Sequence, residues 1–167
     1  MTQRFSIVPL ETARDRAGFT SGVEALDRYF REQVGQDIKR RATACYIALD
    51  LATDKIGGYY TLTAAGVPLG ELPESLIKRL PRYPSVPVAR LGRLAVDLAY
   101  RGQQLGAALL WDAVSRSIRS EVAVAALVVD AKDETAEAFY RHFGFVELGG
   151  GDRRLVLSLG NLATRPT

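Results

Sequence analysis

Val88-Ala89-Arg90-Leu91-Gly92-Arg93-Leu94-Ala95-Val96-Asp97, followed shortly by Arg101-Gly102-Gln103-Gln104-Leu105-Gly106-Ala107, is the stretch on which the fold turns. Leu91, Leu94 and Val96 give a strand that ends at Asp97. A glycine-containing loop comes next. Leu105, Leu109, Ala113 and Ile118 then form one apolar helical face. A helix start of this kind offers unpaired N–H groups and partial positive charge to an anion. Gly102 and Gly106 carry no Cβ, so a bulky anion can approach the backbone, and Arg101 adds positive charge. The pattern fits a pyrophosphate-binding loop; a tight turn that only caps a helix is the other reading. It is neither a P-loop nor a GxGxxG dinucleotide fingerprint.

Moving toward the C-terminus, residues Val122 to Val129 form a continuous apolar run of strand length. Glu134 to His142 reads as a helix that stops before a C′ glycine, Gly144. Strands at Phe145–Leu148 and Leu155–Leu159, joined by a turn at Gly149-Gly150-Gly151, close the chain. Toward the N-terminus, Ala44–Leu49 and Ile56–Thr63 read as a hairpin, and Phe5–Leu10 as a first strand. Ser21 with Glu24 reads as a capping box, opening a helix with Val23, Leu26, Phe30 and Val34 on its apolar face. Residues 66–88 hold Pro68, Pro73, Pro81, Pro84 and Pro87 and read as a connection with a short helix at Glu74–Leu80. The order is mixed α/β, with a strand–helix–strand–helix–strand unit in the second half.

A chain of 167 residues is long enough for one domain, 1–167, with its own core. Hydrophobic residues at 47% and charged residues at 25% exclude a disordered chain. One Cys and one His argue against a disulfide framework and against a Cys- or His-rich metal site, so no metal is expected. No apolar run approaches the roughly 20 residues that span a bilayer, so no membrane partner is expected. Met1-Thr2-Gln3-Arg4-Phe5 does not lead into a long apolar stretch, so a secretory signal is not expected and the cytoplasm is. A net charge of +3 favours a polyanionic partner only mildly.

Arg101 to Ala107 resembles the acetyl-CoA loop of the GNAT N-acetyltransferases, Q/R-x-x-G-x-G/A, with Arg101 and Gly106 matching and Gln104 standing where the first glycine falls. Asp133 to Phe145 resembles the superfamily's N-x-x-A-x-x-F/L-Y-x-x-x-G-F, with Asp133 in place of Asn. Phe19 to Phe30, Gln36-Asp37, Arg90 to Asp97 and Val129-Asp130-Ala131 resemble the GNAT toxins of type II toxin–antitoxin modules. The resemblance implies a GNAT fold, with a mixed central sheet flanked by helices. It implies acetyl-CoA as co-substrate and acetylation of the α-amino group of aminoacyl-tRNA, which blocks translation. It also implies a homodimer and an antitoxin with a ribbon-helix-helix part.

By the same resemblance, the backbone of Leu94, Ala95 and Val96 contacts the acetyl and pantetheine parts. Residues Arg101, Gly102, Gln103, Gln104, Leu105, Gly106 and Ala107 hold the pyrophosphate, and Asp133 stands at a further CoA contact. Tyr140 is the general acid. Its neutral hydroxyl, with an ordinary pKa near 10, can donate to a departing thiolate whose thiol is near ~8.5. An α-amino group, with pKa about 7.7–8.0 and lowered further by an adjacent ester, needs no strong base. Glu32, Asp37 and Asp97 could assist it, though their spacing singles out none of them. The other reading of Tyr140 is a half-buried helix aromatic; Cys45 and Trp111 read as packing residues and His142 as surface. Among the basic residues Lys39, Arg40, Arg41, Lys78, Arg79, Arg82, Arg90 and Arg93, the last two lead into the acetyl site and are the candidates for holding tRNA. They face opposite ways unless a bulge intervenes. Two rival functions stay open: a GNAT acting on a small-molecule amine or a protein N-terminus, and a non-catalytic acyl-CoA-binding module.

Overall fold

The computed structural model describes residues 3–163. Strands β1 (Phe5–Pro9), β2 (Ala44–Asp50), β3 (Lys55–Pro68), β4 (Ser85–Val96), β5 (Ala126–Asp130), β6 (Val146–Glu147) and β7 (Arg154–Ser158) form one mixed sheet in the order β1-β2-β3-β4-β5-β7-β6. Helices are α1 (Glu24–Arg28), α2 (Val34–Lys39), α3 (Glu74–Ile77), α4 (Leu105–Ile118), α5 (Glu134–His142) and α6 (Gly160–Ala163). The chain divides into two compact units. One comprises the residues up to Thr63 with Gly92–Ala113; the other comprises Ala64–Leu91 with the residues from Val114 on.

In the first unit, β1, β2 and β3 pair antiparallel, with a bulge at Gly57 of β3, opposite the step from Ala48 to Leu49 of β2. Their core holds Phe30, Val34, Ile47 and Tyr59, all fully buried, with Phe30 stacked on Tyr59 at 4.2 Å. The expected single helix from Ser21 is broken. A π-helical turn, Tyr29–Gln33, separates α1 from α2. Its wider winding buries both Tyr29 and Phe30, neighbours that one narrow stripe of a regular helix does not bring to the same face. Ser21 is not the N-cap. Val23 holds that position without a side-chain bond, and the Ser21 hydroxyl donates to the Asp27 carboxylate at 2.6 Å instead.

In the second unit, β4 pairs parallel with β5 over Val88–Leu91, and β5 and β6 pair antiparallel with β7. The core includes Val67, Leu76, Val88, Ala126 and Val156. Three expectations shift here. The proline-rich connection is shorter than 66–88, because β3 runs to Pro68 and β4 starts at Ser85. Prolines near strand ends remove few ladder hydrogen bonds, so these punctuate less than a sequence count suggests. The short helix α3 ends at Ile77 rather than Leu80. Val122–Ala125 lies outside β5, and Val122 is 71% exposed. An apolar run carries no signal for where a strand begins.

Candidate active site

In the first unit, β3 brings Gly57-Gly58 against the end of β4. The Asp97 N–H donates to the Gly57 carbonyl at 2.9 Å. A Cβ on Gly58 would lie 2.9 Å from the Ala95 carbonyl oxygen and 2.8 Å from Leu109 Cδ1. This close approach sets the course of Leu94, Ala95 and Val96 into the loop. Asp97 then caps a 3-10 turn, Leu98–Tyr100, accepting the Ala99 N–H at 2.9 Å.

The loop itself is exposed from Arg101 to Gln104 and anchored by the buried Leu105. Helix α4 begins there, and its first i→i+4 bond runs from the Ala108 N–H to the Gln104 carbonyl at 3.2 Å. The N–H groups of Leu105, Gly106 and Ala107 precede it and have no acceptor within the helix. They and the helix dipole are what an anion would meet. Gly102 has φ +77°, and a Cβ there would meet nothing within 4 Å, so its glycine serves the turn. Gln104 has φ +60°. The GNAT pattern places glycine at this position, and the reason is visible here: the loop requires left-handed backbone that a side chain strains. Gln104→Gly is therefore expected to raise Tm by about 1–3 °C, since strain of about 1–2 kcal/mol outweighs the added chain freedom. Gln104→Val is expected to lower it; thermal melts of the two variants check both signs.

Arg101 is tied to the N-terminal segment. Its guanidinium donates to the Ser21 carbonyl at 3.0 Å and so braces the loop rather than standing free above it. The cation reaching a loop side chain is Arg4, which donates to Gln103 Oε1 at 2.7 Å.

In the second unit, Asp133 caps α5, its carboxylate accepting the Ala136 N–H at 2.8 Å. That commits Asp133 to starting the helix that carries Tyr140; Asp and Asn serve equally as caps. The helix ends in a Schellman motif. The Gly144 N–H, at φ +99°, bonds the Arg141 carbonyl at 3.1 Å, and the Phe145 N–H bonds the Tyr140 carbonyl at 3.2 Å. The hydrophobic contact of that motif is Phe145 against the Tyr140 ring, centroids 5.5 Å apart. Phe139 flanks the ring at 5.2 Å. The Y-x-x-x-G-F spacing thus fixes one rotamer of Tyr140. The side chain is 7% exposed, and burial pushes its pKa above the ordinary phenol value. It is a protonated donor throughout the neutral range.

A model of the acetyltransferase (GNAT) domain family matches residues 76–154. A tRNA-acetylating toxin of Mycobacterium tuberculosis is 31% identical over 138 residues, 81% of each chain. The chain belongs to the GNAT acetyltransferases, within the family of the tRNA-acetylating toxins. Solved structures agree. AtaT complexed with acetyl-methionyl-tRNAfMet superposes with a TM-score of 0.87 at 28% identity, covering 95% of this chain and 96% of that one. AtaTR bound with AcCoA gives a TM-score of 0.81 at 27% identity, covering 95% and 96%.

Among the described residues, no group of three or more His, Cys, Asp or Glu is placed to hold a metal ion, and no helix is long and apolar enough to cross a membrane. Cys45 is buried and its thiol is pushed up to about 12 by desolvation, so it packs rather than reacts. His142 is exposed, as expected. Trp111, expected to pack, is 42% exposed on α4.

Of the carboxylates weighed as bases, Asp97 and Asp37 are engaged. Asp97 accepts the Thr20 and Ala99 N–H groups. Asp37 accepts the Tyr29 hydroxyl at 2.7 Å, which holds its pKa below the usual carboxylate range. Glu32 is exposed. Arg93 stacks on the Tyr29 ring, 3.4 Å from its centroid. Arg90 pairs with Asp130, both half exposed. Each arginine is thus held by a different neighbour, and the basic run Lys39–Arg41 is exposed.

Sequence reasoning missed Gly57-Gly58 and Asp27. The signal for Asp27 lies in the sequence: a carboxylate four residues after Val23 falls on the helix's own apolar stripe.

Proposed function

We propose that this acetyltransferase transfers the acetyl group of acetyl-CoA to the α-amino group of aminoacyl-tRNA and thereby inhibits translation as the toxin of a toxin–antitoxin module. The whole chain, 1–167, works as one catalytic domain. The N–H groups of residues 103–107 take the diphosphate, and the backbone of residues 94–96 takes the acetyl and pantetheine parts. The amine nitrogen attacks the thioester carbon, the tetrahedral intermediate expels sulfur, and Tyr140 gives its proton to the thiolate. The phenol then recovers a proton from the former ammonium.

The observation that carries this reading is Tyr140: a buried, protonated phenol, held by Phe145 and the Schellman turn, on the helix that matches the GNAT motif. The likeness to a tRNA-acetylating toxin and to AtaT with acetyl-methionyl-tRNAfMet supports the choice of acceptor. Arg90 and Arg93 are proposed contacts to the tRNA backbone. The cytoplasm, a homodimer and a ribbon-helix-helix antitoxin complete the reading.

Labelled acetyl-CoA tests it. Label is expected on charged bulk tRNA and not on deacylated tRNA. Label appearing only on free amines or on protein N-termini would replace the acceptor.

A further inference from the structure

Asp27 is a carboxylate with 3% exposure on α1, facing the core side of a helix where an apolar residue would cost less to bury. Its Oδ1 accepts both the Ser21 N–H at 2.9 Å and the Ser21 hydroxyl at 2.6 Å, and the Thr20 hydroxyl donates to Oδ2 at 3.4 Å. These donors belong to one turn, Thr20–Gly22, with Gly22 at φ +86°. The other side of that turn is bonded to the segment that opens the acetyl-CoA loop. The Thr20 N–H donates to Asp97 Oδ2 at 3.0 Å, and the Thr20 carbonyl accepts the Leu98 N–H at 2.9 Å. The Ser21 carbonyl accepts the Arg101 guanidinium at 3.0 Å. A Cβ on Gly22 would stand 3.3 Å from Leu98.

We propose that Asp27 is a positioning residue for acetyl-CoA: acting through the Thr20–Ser21 turn, it fixes Asp97–Arg101 and so aims the N–H groups of the following loop at the diphosphate. This rests on the reading of residues 103–107 as the diphosphate site. The loop that Asp97 leads into is exposed from Arg101 to Gln104 and carries a strained Gln104. A side-chain oxygen that gathers both Ser21 donors into one turn supplies that loop with a fixed frame.

The test compares two acetyl donors with charged tRNA as common acceptor: acetyl-CoA, and S-acetylpantetheine, which lacks the diphosphate. Wild-type enzyme is expected to prefer acetyl-CoA strongly in kcat/KM. Asp27→Ala is expected to cut that preference about 10- to 100-fold, through KM for acetyl-CoA, while leaving the value for S-acetylpantetheine within about threefold. Asp27→Asn keeps an oxygen for both Ser21 donors and is expected to restore most of the preference. Ser21→Ala, a smaller lesion, should move it in the same direction as Asp27→Ala even if the latter does not fold. An unchanged preference in the Asp27 and Ser21 variants, or an equal fall for both donors, overturns the positioning role and leaves the diphosphate reading intact. Wild-type enzyme that uses both donors equally overturns the diphosphate reading itself, and the positioning role with it.

Discussion

Tyr140→Phe is expected to lower kcat for acetyl transfer by about 100- to 1,000-fold, with KM for acetyl-CoA within about threefold of wild type. The ring is what packs: it lies against Phe139 and Phe145, and both contacts survive loss of the hydroxyl. Stability is therefore expected to hold. What disappears is the proton given to the departing sulfur. The pH profile separates this role from a packing role. Burial holds the phenol above its ordinary pKa, so it keeps its proton across pH 6–9 and contributes no falling limb there. In wild-type enzyme kcat/KM should rise as the acceptor amine loses its proton, below about pH 8, and then level off. Tyr140→Phe should lower the plateau without moving the rise. Steady-state kinetics at saturating and limiting acetyl-CoA, from pH 6 to 9, check both parts. Near-wild-type kcat would remove Tyr140 from the mechanism.

Gly58→Ala is expected to be the most damaging small change in the first unit. The added methyl meets the Ala95 carbonyl oxygen at 2.9 Å and Leu109 at 2.8 Å. A backbone carbonyl cannot turn aside as a side-chain end can, so β4 must move where it delivers Leu94–Val96 to the loop. Overpacking of this kind costs about 3 kcal/mol, or about 6–12 °C in Tm for a chain of this size. Activity should fall as well, because the displaced strand is the one proposed to line the thioester. Gly57→Ala is the internal control. Its nearest neighbour, at 3.0 Å, is the end of the Leu105 side chain, which can yield. Its loss should be smaller in both measurements, and equal losses would refute the close-approach account.

Much of this enzyme is legible along the chain because the informative signals are local. The Gly144-Phe145 step after His142 predicts the end of α5, and the same step, once folded, seats Tyr140 against Phe145. The strand–loop–helix pattern around Arg101–Ala107 likewise locates the start of α4. The misreadings have a common cause. Ser21 reads as a cap because serine and glutamate three apart usually make one; in the fold its hydroxyl donates to the buried Asp27, its oxygen accepts the Val23 N–H, and the helix starts later, with Val23 at the cap. The sequence around Arg101 shows its charge but not its partner, a carbonyl 80 residues earlier. Prolines at 68 and 87 read as loop because their effect depends on where a strand ends.

Capping, turn chemistry and periodicity act over a few residues and need no distant partner. The α/β class, the glycine-containing loop before α4 and the tyrosine helix are therefore written in the order of the amino acids. That Gly57-Gly58 must be bare, that Gln104 sits in left-handed backbone, and that Asp27 holds the turn on which the loop leans emerge only on folding. They depend on contacts between segments far apart in the chain, where a clash, a bond or a burial exists only once the backbone has brought both sides together.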